Sequence, residues 1–168
     1  STKAHVDFVR NEMADFDSKS FWTVLPLEAV QHLPNLRLSP LGCVPQRDRR
    51  PRLINDLTFY EINKNTTRLA PSEAMQFGRA LERVLHKIQD ADPRHGPVYL
   101  CKIDVADGFY RIDLEAATAP TLAVILPHQE AEQPLVAIPL SLPMGWVESP
   151  PYFCAASETI ADIANRNI

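Results

Sequence analysis

Val98-Tyr99-Leu100-Cys101-Lys102-Ile103-Asp104 is a β-rich apolar run that ends in a carboxylate, and Val105-Ala106-Asp107-Gly108-Phe109-Tyr110 follows it directly. β-branched and aromatic residues favour pleated surfaces. The run therefore predicts a central strand over 98–104, with Asp104 near its end and facing a cleft. A strand aims its side chains rigidly, and an acid there is well placed to hold a hard cation such as Mg²⁺. Gly108 lets a bulky ligand approach the backbone, and the aromatic after it can floor a nucleotide pocket. The arrangement points to metal-dependent phosphoryl transfer. A lone acid in such a turn more often caps the local backbone, so other segments must supply the rest of such a site.

Working outward, Asp92-Pro93-Arg94-His95-Gly96-Pro97 breaks the chain before the run. Ahead of it, Ser72 can cap a helix over 73–91, in which Phe77, Leu81, Val84, Leu85 and Ile88 form an apolar stripe. Beyond the acidic turn, 121–126 and 135–138 read as strands joined by the polar turn 127–134. Ser149-Pro150, with Ser at the N-cap and Pro at the first helical position, opens a last helix. Towards the N-terminus, Val6, Val9, Met13 and Phe16 give 3–16 helical spacing. Pro26 and Pro34 leave room for only a short helix around 28–32. Residues 36–47 look extended, 48–51 turn, and 52–57 return, which makes a basic hairpin. Residues 61–71 read as a polar loop. The order predicts an α+β fold: an antiparallel sheet backed by helices, with the hairpin projecting separately.

The chain has 168 residues, enough for one domain or two small lobes with a sizeable core. Hydrophobic residues make up 45% and charged residues 23%, an ordinary globular mix. Fifteen prolines against five glycines are scattered through it and punctuate many short elements. The net charge of −4 argues against a nucleic-acid binder when taken alone. The distribution argues otherwise, because Arg47, Arg49, Arg50 and Arg52 are clustered and Arg37 precedes them. Cys43, Cys101 and Cys154 are far apart, odd in number and in apolar contexts, and read as buried free thiols of a reducing, intracellular compartment, cytoplasm or nucleus. No signal peptide and no membrane-spanning apolar run is visible. Without an initiator Met, the chain reads as part of something longer.

Two further constellations stand beside the acidic turn. The hairpin Val44-Pro45-Gln46-Arg47-Asp48-Arg49-Arg50-Pro51-Arg52-Leu53-Ile54-Asn55-Asp56 could close arginine forks over a triphosphate. Alone it is more often a solvated charged turn. Leu140-Ser141-Leu142-Pro143-Met144-Gly145-Trp146-Val147-Glu148-Ser149-Pro150 places a glycine before a capped helix start, where a ligand backbone can approach. Alone it is equally a strand-to-helix connection with a packed tryptophan.

Taken in order and spacing, the three segments resemble the fingers and palm of reverse transcriptases of long-terminal-repeat retrotransposons and retroviruses, over roughly residues 36–168. Lys102 to Tyr110 looks like the family's first catalytic block. Leu142-Pro143-Met144-Gly145-Trp146 with Ser149-Pro150 looks like its Leu-Pro-x-Gly-x-x-x-Ser-Pro block. Arg52-Leu53-Ile54-Asn55-Asp56 with Ile62-Asn63-Lys64 looks like its fingers block. The resemblance implies a palm-like sheet with a fingers hairpin, divided as a helical extension (1–35), a fingers-like region (36–97) and a palm-like region (98–168).

By the same resemblance, Asp104 matches the first metal-binding aspartate, and Val105 the position whose carbonyl helps hold Mg²⁺. Asp107 and Gly108 match backbone contacts to the incoming triphosphate. Phe109 matches the aromatic that excludes a ribose 2′-OH, and Arg52 the arginine over the nucleotide. Arg47 stands beside Gln46, which occupies the place of a triphosphate-binding lysine. Met144 and Gly145 would line the base and template, with glutamine commoner at the first of these positions. The implied partners are an RNA or DNA template-primer and deoxynucleoside triphosphates, with no membrane; the oligomeric state is open. The family's aromatic-x-Asp-Asp block does not occur before Ile168, which implies that this chain alone is inactive. The same fold as a catalytically inactive or domesticated nucleic-acid- or protein-binding module is the alternative. An unrelated ferredoxin-like module stacking single-stranded RNA on exposed sheet aromatics is a third.

Overall fold

Leu135–Pro139 (β5) is buried over four of its five residues, and its side chains alternate between two cores. Ala137 faces a cluster with Val9, Met13, Trp22 and Val124, whereas Val136 and Ile138 face Val30, Ala119 and Ala123. That alternation is the period of two of a strand covered on both sides. The strand belongs to a computed structural model that describes residues 2–69, 75 and 80–166. No helix among the described residues is long and apolar enough to cross a membrane.

β5 pairs antiparallel with Trp22–Pro26 (β1) on one side and with Val124–Ile125 (β4) on the other. Ser39–Gln46 (β2) runs parallel to β4 at Ser39 and Pro40, and pairs antiparallel with Arg49–Asn55 (β3) from Leu41 onward. The sheet order is β1-β5-β4-β2-β3. Val6–Ser18 (α1) covers one face through Val9 and Met13. The short Leu27–Val30 (α2) contributes Val30 to the other. A third core joins Leu57, Leu122, Leu142 and Trp146 with Ile62, which lies in Ile62–Asn65 (α3). Ser149–Arg166 (α5) begins where the Ser-Pro signal puts it. The Ser149 hydroxyl, however, donates to the Pro143 carbonyl at 2.8 Å instead of capping the helix as an acceptor.

The expected α+β class and helix-backed sheet are both present, with the β2–β4 ladder parallel among antiparallel ones. Several local expectations are corrected. Residues 98–104 form no strand and are exposed throughout, with Tyr99 and Ile103 each 86% exposed. The composition favours a strand, but a strand is stabilised by cross-strand neighbours, and none of the described strands lies beside it. Conversely, β1 forms where only a short helix was expected. It is an edge strand, which tolerates Pro26 at its end.

The hairpin is not a separate projection, because β2 continues the main sheet through its parallel pairing with β4. The strand expected over 121–126 shortens to two residues, since Ala119–Leu122 forms a 3-10 turn around Pro120. Of the helix expected over 73–91, Ala80–Gln89 (α4) is described; Phe77 and its neighbours lie outside the described residues. The expected stripe Leu81, Val84, Leu85 and Ile88 is exposed on α4.

Candidate functional site

A cleft of about 340 Å³ opens between α1, the hairpin and the acidic turn. Arg49, Arg50 and Arg52 reach it from β3, Gln46 from β2, and Glu12 from α1. Asp107 and Tyr110 enter from the acidic turn, and Met144 from the connection before α5. Residues from all three sequence motifs thus meet here: Arg52, Asp107 and Met144.

The convergence has local causes. Asp107 sits in the left-handed region at φ 56°, which reverses the chain into the 3-10 turn Gly108–Arg111. Asn55 Nδ2 donates to the Met144 carbonyl at 2.8 Å and Asn63 Nδ2 to the Gly145 carbonyl at 2.9 Å. The Val147 amide donates back to Asn63 Oδ1 at 3.0 Å. Asn55, at the end of β3, and Asn63, on α3, thereby fix the turn that carries Met144. Gly145 has φ 97°, and a Cβ there would lie 3.1 Å from the Asn55 carbonyl oxygen, so glycine allows both the turn and the close approach. Arg52 Nη2 lies 3.6 Å from the Met144 sulfur, a weak contact that leaves its fork free for an anion.

Arg50 forms a two-point ion pair with Glu12, with Nη2 to Oε1 at 3.0 Å and Nη1 to Oε2 at 3.2 Å. The cleft floor is Trp22 and Tyr110, which are 1% and 9% exposed. Burial pushes the Tyr110 hydroxyl up to about 12; the nearby Trp22 indole opposes part of the rise, and the carboxylates of Glu12 and Asp107 add to it. The Trp22 N–H lies near the Tyr110 oxygen without a hydrogen bond of ordinary geometry.

The remaining candidates lie outside this lining. Asp104 and Val105 are exposed on the unpaired run before the turn. Arg47 is at the exposed hairpin tip. Gly108 lies against the Phe153 ring, which a Cβ would approach to 2.8 Å. Phe109 turns away from the cleft into the third core and meets Phe153 edge-on at 5.3 Å between ring centres. Tyr110 is the aromatic of the turn that faces the cleft. Glu12 and Trp22 are site residues that sequence reasoning missed. Glu12 precedes the core position Met13 on α1, a boundary visible in the helical pattern, but nothing local announces a partner at position 50.

The described residues contain no group of three or more His, Cys, Asp or Glu side chains able to share an ion. Asp104 with the Val105 carbonyl supplies at most part of an octahedral Mg²⁺ set, so the described residues do not by themselves form a two-ion seat. A larger cavity of about 590 Å³ lies apart from the arginine cleft, where Arg37 shares the lining with Asp113, Glu115 and buried Glu148. Glu148 accepts from the Leu69 amide at 2.9 Å and pairs with Arg68 at 3.5 Å, which gives it a structural role between loop and helix.

No protein-family model and no curated protein matches the chain.

Proposed function

We propose that the chain is the fingers–palm part of a retroelement reverse transcriptase, whose cleft receives the triphosphate of an incoming deoxynucleotide. One observation carries the reading: Arg52, Asp107 and Met144, drawn from three motifs spread over more than ninety residues, line one cleft. The resemblance assigns all three to the nucleotide site, and chemistry supports the same role. Three arginines against two carboxylates favour an anion, and the guanidinium fork matches phosphate oxygens bidentately. The cleft volume is at the small end of the range for ligand sites, enough for a phosphate chain with the base and sugar outside it.

In template-directed synthesis a primer 3′-hydroxyl displaces pyrophosphate from the α-phosphorus. Mg²⁺ supplies charge neutralisation to such reactions. Asp104 and the Val105 carbonyl are the residues here that would contribute to holding it, with further ligands required. Within this chain, Arg52 would orient the phosphates and Asp107 would set the backbone turn beneath them.

Titrating the chain with a deoxynucleoside triphosphate tests the reading, with tryptophan emission reporting because Trp22 floors the cleft. Arg52→Ala should weaken binding by about 1.5–3 kcal/mol, the scale of a charged hydrogen bond. Equal affinity in wild type and variant would remove Arg52 from the site.

A non-catalytic binding module is the second reading, favoured by the lack of a multi-carboxylate group among the described residues. Deoxynucleotide and monophosphate binding with the same affinity would support it over the first.

A further inference from the structure

We propose that Glu12 is a built-in phosphate substitute that gates the arginine cleft, so that an anion opens it to advantage only by reaching several of its arginines at once. The inference rests on the cleft being a polyphosphate site and adds how that site is regulated. Arg50 already offers its fork to a carboxylate at 3.0 and 3.2 Å, the two-point geometry it would offer a phosphate.

The two partners differ in mobility. Glu12 is 12% exposed and stands on a helix anchored by Val9 and Met13, which are 0% and 1% exposed. Arg50 is 75% exposed. Opening the pair therefore moves one long side chain and leaves both the helix and the hairpin in place. Once Arg50 swings onto a ligand, Glu12 remains in the wall as a fixed negative charge beside Asp107.

An entering anion must therefore outbid one carboxylate for Arg50 and tolerate two afterwards. A ligand small enough to engage Arg50 alone gains little that Glu12 does not already provide. A polyphosphate gains because it reaches Arg52 and Arg49 as well. The gate thus selects for chain length in the phosphate moiety and biases the free cleft against orthophosphate and acidic side chains.

Calorimetric titration of the whole 168-residue chain with inorganic tripolyphosphate and with orthophosphate, at low ionic strength, tests this. Glu12→Gln should bind tripolyphosphate about three- to fivefold more tightly than wild type, the range of an exposed ion pair. It should also narrow the preference for tripolyphosphate over orthophosphate. Glu12→Asp keeps the charge on α1 but shortens its reach to Arg50, so it too should bind more tightly; it serves if the Gln variant fails to melt cooperatively. Arg52→Ala is the control for the cleft itself. Wild-type binding that Arg52→Ala weakens, with affinity unchanged or lower in the Glu12 variants, overturns the gate and leaves the cleft reading standing. No tripolyphosphate binding by wild type or variants, or binding indifferent to Arg52→Ala, overturns the cleft reading and the gate with it.

Discussion

Phe109 and Tyr110 are adjacent in sequence and opposite in circumstance. A 3-10 turn has three residues per turn, so neighbours point about 120° apart. Here that rotation sends the half-buried Phe109 into the third core and the buried Tyr110 into the α1 core, where it stacks on Phe21 and forms part of the cleft floor. In a primer-extending protein that carries this segment, the resemblance makes Phe109→Ala the variant that admits ribonucleotides, whereas the cleft lining makes it Tyr110→Ala. Incorporation assays on both variants separate the two, and unchanged discrimination in both would take the aromatic pair out of sugar selection. Tyr110 carries a second consequence. Its hydroxyl ionises near 12 in the folded chain against about 10 when unfolded. Below pH 10 both states are protonated and the contribution is full. As pH rises from about 10 towards 12 the unfolded chain loses its proton first, and up to roughly 2–3 kcal/mol of stability is lost. Denaturant titrations across that window should show the loss in wild type and a flatter profile in Tyr110→Phe. The pattern Asp-x-x-Asp-Gly-aromatic-aromatic located this turn in the sequence. Which ring faces the cleft depends on a rotation set by packing of Phe109 against Phe153 and of Tyr110 against Phe16 and Phe21.

At the scale of elements, the hairpin, α1, β5 and the start of α5 were legible because each has a local cause: turn residues, apolar spacing or a Ser-Pro start. β1 was not, because its pairing with β5 joins residues more than a hundred positions apart and prolines bracket the region. The run 98–104 is the converse case, with strong strand composition and no strand. Composition reports fitness for a pleated surface, not the presence of a neighbour. The two situations predict different costs for apolar loss. Ile103→Ser should change stability by no more than about 0.5 kcal/mol, as at an exposed position. Leu122→Ala should cost about 2–5 kcal/mol, because Leu122 is 1% exposed in the third core. Chemical denaturation of the two variants measures both. A large loss at Ile103 would mean that the run is packed in solution.

For the molecule as a whole, a net charge of −4 coexists with a cationic cleft. The total reports solubility and long-range attraction, and the cleft depends on which charges the sheet brings together. The 168-residue chain with primer, template, Mg²⁺ and deoxynucleotides should show no extension above background, because phosphoryl transfer needs a fixed seat for its ions and a held primer. Robust extension abolished by Asp104→Asn would show that the carboxylates are placed otherwise. The motifs and their order were readable from sequence; their meeting in one cleft depends on Asn55 and Asn63 gripping a turn some eighty residues away, which no local pattern encodes.

β2 has a further mechanical meaning. Its first residues are held in the sheet by β4, and Leu41 and Cys43 are buried in the α1 core. Past an irregularity in register between Val44 and Gln46, the arm is exposed and carries Arg47, Arg49 and Arg50, whereas Arg52 pairs with Val44 at the root side of it. It is a cantilever with a clamped root and a notch partway along. Arg49 and Arg50 can therefore be drawn onto a ligand by bending beyond the notch, while Arg52 keeps its place at the root and the packing of Leu41 and Cys43 stays as it is.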